Sequence, residues 1–111
     1  MTHLSHCRRP LAAALASAWV AAGCSAPAPV RHEVDVRDLA FAPGTLAVAV
    51  GDTVTWVNHD IVPHTVTRAD GTWDSDEVLP GARYTVVVDA AGVLSYLCRY
   101  HPTMTGTLTV R

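Results

Sequence analysis

From Glu33 onward the apolar residues recur at every second position and never sustain a 3.6-residue period, so the chain must fold as strands. Glu33 to Arg37 alternates, and so does Leu46 to Val50, which ends on a Gly51-Asp52 turn. Thr53 to Asn58 resumes the alternation, and His64 to Arg68 follows it to a turn at Asp70-Gly71. After a less regular stretch from Trp73 to Gly81 come Tyr84 to Asp89, a turn at Ala91-Gly92, Val93 to Cys98, and finally Gly106 to Val110. About seven or eight short strands separated by turns predict an all-β sandwich or small barrel. Leu46, Val48 and Val50 share one face, and Val54, Trp56 and Asn58 share another. The turn between them is expected to close a hairpin, with Thr53 and Thr55 toward solvent.

The residues ahead of this pattern read differently. Arg8 and Arg9, an apolar run from Leu11 to Ala22, and small residues with proline at Gly23 to Pro29 have the three-part plan of a secretory leader. The apolar run is shorter than the roughly 20 residues a membrane-spanning helix requires. Cleavage after Ala26 or Ala28 would leave Pro27 or Pro29 just past the cut. Ala21-Ala22-Gly23-Cys24 resembles a bacterial lipobox, with Ala21 in place of the usual Leu, and this favours Cys24 as a lipidated first residue. Residues 1–23 are thus expected to be a signal peptide of the lipoprotein type, 24–32 a Pro/Ala-rich linker and 33–111 the single folded domain. The protein is expected to be exported, periplasmic or at the cell surface, and held at the membrane only through that lipid.

Cysteine usage sharpens this. Cys7 lies in the leader and Cys24 at its end, so Cys98 has no partner for an internal disulfide and must be a buried thiol or a ligand. Beyond Cys24 six Arg face ten acids, a net of −4, and no basic patch points to nucleic acid.

The chemistry concentrates in Cys98-Arg99-Tyr100-His101-Pro102-Thr103-Met104, where a thiolate, an imidazole and a thioether stand at C-x2-H-x2-M spacing. Met104 is the only Met after the initiator. Upstream, His64 offers a second imidazole. Two His, one Cys and a weak Met are the ligand set of a blue-copper site, in which soft sulfur suits Cu(I) and imidazole suits Cu(II). Taken singly, Cys98 and Met104 would read as core residues and the two His as ordinary strand-edge and surface residues; their joint spacing argues otherwise. His32 and His59 have no such spacing, Asp74, Asp76 and Glu77 read as a solvated loop, and Trp56 and Trp73 as core. Leu94, Tyr96 and Cys98 share a strand face, which would turn the thiol inward. Asn58, continuing an inward face, needs a buried partner near the metal loop, because an unpaired amide costs about 1–3 kcal/mol.

Val50-Gly-Asp-Thr-Val-Thr-Trp-Val-Asn58, Pro63-His64 and Tyr96-Leu-Cys98 with its short C-x2-H-x2-M loop resemble the cupredoxins of the plastocyanin group, and amicyanin most of all. The resemblance covers nearly all of Glu33 to Arg111. It implies a cupredoxin-like Greek-key β-sandwich or barrel of seven to eight strands holding one copper ion that cycles between Cu(I) and Cu(II). It further implies His64, Cys98 and His101 as equatorial ligands, Met104 as axial ligand, and Asn58 as a residue steadying the ligand loops. An apolar docking patch would form around Pro63, Tyr100, His101 and Pro102, with Arg99 as a charged contact at its rim. The chain departs from amicyanin at Arg99 and Tyr100, where smaller residues including a Pro stand, and through Trp73 to Gly81.

The leading expectation is a monomeric, non-enzymatic electron carrier serving redox proteins such as a c-type cytochrome or a dehydrogenase or reductase. The competing reading is a copper-binding or delivery protein with no electron-transfer role and a looser site. A structural zinc site is a third, disfavoured because Met is a poor zinc ligand.

Overall fold

The computed structural model describes residues 27–111, so the expected leader, Cys24 and the start of the linker lie outside the described residues. Among these there are eight strands and no helix: β1 (Arg31–Arg37), β2 (Ala40–Ala42), β3 (Thr45–Val48), β4 (Thr53–Asn58), β5 (Thr67–Arg68), β6 (Arg83–Val87), β7 (Gly92–Leu97) and β8 (Thr105–Val110). They form two four-stranded sheets, one ordered β2-β1-β4-β6 and the other β3-β8-β7-β5. Parallel pairs join β1 to β4 and β3 to β8, and the other pairs are antiparallel. The fold is an all-β sandwich.

Strand β1 begins at Arg31, inside the stretch expected to be linker, and His32 there binds the Asp52 carboxylate through Nε2 at 2.8 Å. The short β2 carries too few residues to show alternation, which is why the sequence pattern passes over it.

The expected Leu46–Asn58 hairpin does not form. β3 pairs with β8 in one sheet while β4 pairs with β1 and β6 in the other, so the Gly51-Asp52 turn carries the chain between sheets. Alternation tells which residues share a face, not which strand lies alongside. Gly51 takes φ 93°, a left-handed conformation that glycine adopts without strain. Asp52 then fastens the crossing by accepting from the amides of Val30 and Ala49, each at 2.9 Å. The amides of Val30 and Ala49 and the His32 ring hold its carboxyl down at a pKa of about 2, against an opposing effect of burial.

The inward faces fill the space between the sheets. Val34 and Val36 of β1, Val54 and Trp56 of β4, Leu94 and Tyr96 of β7, and Leu108 and Val110 of β8 are all buried, at the period of two the sequence predicts. Each aliphatic side chain so buried contributes about 1.5–3 kcal/mol. Trp56 and Tyr96 meet edge to face with centroids 5.2 Å apart, and Trp73 and Tyr84 pack around them. Tyr96 pairs with Gly106 across β7 and β8, and its ring lies where a Cβ on Gly106 would sit, so that position tolerates no side chain. Tyr96 leads directly to Cys98, two residues on, which continues the buried face at the strand's end.

Candidate metal centre

Cys98 is fully buried, and its sulfur receives the Thr65 amide at 3.3 Å. The loop after it closes on itself. The Cys98 amide donates to the Met104 carbonyl at 3.0 Å, and the Met104 amide donates to the His101 carbonyl at 2.8 Å. Met104 turns back into the core, 4% exposed, while His101 stays half-buried with Tyr100 and Pro102 exposed beside it.

His64 comes from the other side of the same end. It is fully buried, and its backbone bridges Val78, with N–H···O distances of 3.1 and 2.7 Å. Asn58 steadies this approach. Its amide nitrogen donates to the carbonyls of Val62 at 2.9 Å and Val78 at 3.0 Å, and its oxygen accepts the Asp60 amide at 2.9 Å. All these partners belong to the His64 side, and none lies on the Cys98–Met104 loop.

The structure brings three of the expected ligand atoms together. His64 Nδ1 lies 3.7 Å and His101 Nδ1 3.8 Å from Cys98 Sγ. A first-row metal with bonds of about 2.3 Å to sulfur and about 2.0 Å to nitrogen, in a trigonal plane, would hold sulfur and nitrogen about 3.7 Å apart. The donor set therefore fits a His2Cys metal centre. Met104, buried in the core next to this loop, is the remaining soft donor.

Three residues, Asp60, Thr65 and Arg99, make contacts that escape the sequence reading. Asp60 accepts the His64 ring N–H, with Nε2 to Oδ2 at 2.7 Å. Burial pushes its carboxyl upward, but the Leu39 amide, the His64 ring and the Asp38 amide together hold it below its ordinary range. Thr65 offers its amide to the Cys98 sulfur, and its hydroxyl accepts the Arg99 amide at 2.7 Å. Arg99, exposed at the rim, is paired there with two acids. It pairs with Asp74 at 2.8 Å and with Asp76 at 3.4 Å, so these two acids, exposed as expected, also tie the ligand loop to their own segment. The pairing with Asp74 raises the Arg99 pKa further. The i, i+4 spacing of Asp60 and His64 was the available signal for the first contact; the others depend on the tertiary fold.

His59 lies outside the centre and binds Asp35 at 2.9 Å on the surface, where Glu33 also approaches. Around the metal end Ile61 is 95% exposed, and Leu39, Val62 and Leu79 are exposed as well. Of these, Ile61 and Val62 directly precede Pro63 in the chain.

Comparison with known proteins agrees with this geometry. A family model described as copper binding proteins, plastocyanin/azurin family, matches residues 28–111. Plastocyanin from Scenedesmus fuscus is 32% identical over 100 residues, covering 74% of this chain and 97% of that one. Amicyanin from Paracoccus denitrificans is 34% identical over 83 residues, covering 69% of this chain and 63% of its own length, a little under two thirds. Among solved structures, a purple cupredoxin from Nitrosopumilus maritimus superposes with a TM-score of 0.67 at 29% identity, covering 72% of this chain and 99% of that one.

Proposed function

Because the chain belongs to the plastocyanin/azurin family of copper-binding proteins, whose cofactor is one copper ion, we propose that it is a type 1 copper electron-transfer protein. In this reading His64, Cys98 and His101 are the equatorial ligands and Met104 the axial one. The separations of 3.7 and 3.8 Å between Cys98 Sγ and the two Nδ1 atoms carry the reading. Bound there, copper supplies one-electron chemistry, Cu(II) to Cu(I) and back.

The chain's own residues do the rest. His64 and Cys98, both fully buried, keep water from the ligand plane. The Thr65 amide donates to the thiolate, drawing charge from the sulfur and tuning the potential. His101, half-buried beneath Tyr100 and Pro102, gives electrons a way in and out through its ring. The surrounding apolar residues, Pro63 among them, form the surface on which a redox protein such as a c-type cytochrome or a dehydrogenase would dock. Asn58 positions the His64 loop. Work outside the cytoplasm, with the mature protein lipid-anchored through Cys24, completes the proposal. The buried ligands favour this reading over a copper-delivery protein, which would need its metal within reach of an acceptor.

Copper(II) added to the full chain, followed by visible and EPR spectroscopy, tests it. An intense blue thiolate-to-copper band with a narrow parallel hyperfine splitting is expected. A pale complex, or one that bleaches rapidly, would move the assignment to copper handling.

A further inference from the structure

We infer that Asp60 is a positioning residue for the metal centre, fixing the tautomer of His64 and biasing the centre toward its oxidised state. The inference rests on the reading of this site as a redox copper centre.

The Asp60 carboxylate faces three donors. Oδ1 accepts the Asp38 amide at 2.7 Å, while Oδ2 accepts the Leu39 amide at 3.1 Å and His64 Nε2 at 2.7 Å. A carboxylate so placed can only accept, so the proton on the His64 ring must sit on Nε2. That leaves the Nδ1 lone pair free, and Nδ1 is the atom facing Cys98 Sγ. The ring is thereby held in the one tautomer that presents a ligand to the metal.

The surroundings are built around this contact. Asp38 and Leu39 are consecutive non-glycine residues with φ of 54° and 58°, a left-handed conformation that side chains rarely adopt. That turn aims both amides at Asp60. On its other side, the Asp60 amide is bound by Asn58 Oδ1 at the end of β4, so the turn holds the carboxylate and β4 holds the backbone of the same residue. The Asp60 side chain is only 13% exposed, so solvent does little to screen its charge.

Such a contact is not neutral toward the two oxidation states. Metal binding at Nδ1 withdraws charge from the imidazole and makes Nε2–H a stronger donor. The carboxylate stabilises that polarised ring more for a doubly than for a singly charged ion. It therefore favours Cu(II) and lowers the reduction potential.

The test is protein-film voltammetry of the copper-loaded full chain carrying Asp60→Asn, beside the unmodified chain. Asparagine retains an acceptor oxygen but no charge. Losing the carboxylate from behind a ligating His weakens metal binding about 10- to 100-fold. Preference for Cu(II) over Cu(I) should fall about tenfold, a rise of about 59 mV for one electron, with the blue band retained. If Asp60 merely caps the turn, the variant will melt earlier at an unchanged potential, which overturns the inference. NMR of the His64 ring in the copper-free unmodified chain decides the matter even if the variant does not fold. A proton on Nε2 supports the inference and one on Nδ1 overturns it. A chain with no reversible copper wave would defeat the carrier reading, and the His64 tautomer would still judge Asp60.

Discussion

Asn58→Ala should cost about 2 kcal/mol of stability, through the loop that delivers His64. The side chain is fully buried and makes three hydrogen bonds, two given and one received. The buried Val78 carbonyl keeps the His64 amide as a donor, so losing Asn58 there costs about 0.5–1.5 kcal/mol; the Val62 carbonyl and Asp60 amide are partly reachable by water and lose nearer about 0.5–1 kcal/mol each. For a domain of this size each 1 kcal/mol shifts the melting temperature by about 4–8 °C, so a drop of about 8–16 °C is expected. Circular dichroism melts of the copper-free full chain measure it without the contribution of bound metal. Asn58→Asp is the companion: it keeps the shape and the acceptor for Asp60, but turns a carboxylate toward two carbonyls and should destabilise at least as much. A shift under about 4 °C for Asn58→Ala, or an Asp variant as stable as the parent, would refute the claim that these bonds hold the loop.

Met104→Leu should raise the reduction potential by removing the axial thioether, which stabilises Cu(II); an unchanged midpoint by voltammetry would mean that Met104 is not the axial ligand. Pro102→Glu, a charge on the exposed loop beside His101, should slow electron exchange with a c-type cytochrome in stopped-flow experiments while the blue band persists. Asp52, with a pKa of about 2 when folded against 3.8 ordinarily, stabilises the fold fully above about pH 4 and loses that effect as pH falls through 2. The melting-temperature gap between the parent and Asp52→Asn should accordingly close between pH 5 and pH 2, and a gap constant across that range would contradict the assignment.

The sandwich and most of its strands were legible because a period of two survives wherever one face is buried: Val34 and Val36, Val54 and Trp56, Leu94 and Tyr96 all stand where alternation puts them. Pairing was not legible. Strands β3 and β4 alternate as a hairpin would, yet Asp52 binds Val30 and Ala49 and the chain changes sheet there, a result decided by contacts distant in sequence. The C-x2-H-x2-M loop was readable because its donors are chemically unusual and close in sequence. The ion pairs of Arg99 were not legible for the opposite reason, since Asp74 and Asp76 reach it from a segment with no periodic signal.

The ligands divide by what holds them. Cys98, His101 and Met104 sit on one loop closed by its own backbone hydrogen bonds, and the Arg99 pairs tie that loop to the Asp74–Asp76 segment. His64 enters from 34 residues away, and its place depends on a chain of contacts. Val78 holds its backbone, Asn58 ties Val62 to Val78, and Asp60 links its ring to the turn between β1 and β2. The compact loop alone would thus carry a thiolate, one imidazole and a thioether, but not the second imidazole that completes the plane. Closing the sandwich brings the sheet containing β4 and the sheet containing β7 together at this end, and that closure adds His64 to the loop's donors in the proposed centre. Fold stability and ligand geometry are for that reason coupled chiefly through the His64 side. Changes in β1, β4 or the turn at Asp38-Leu39 should reach the metal through Asn58 and Asp60 sooner than changes in the C-terminal loop's exposed residues.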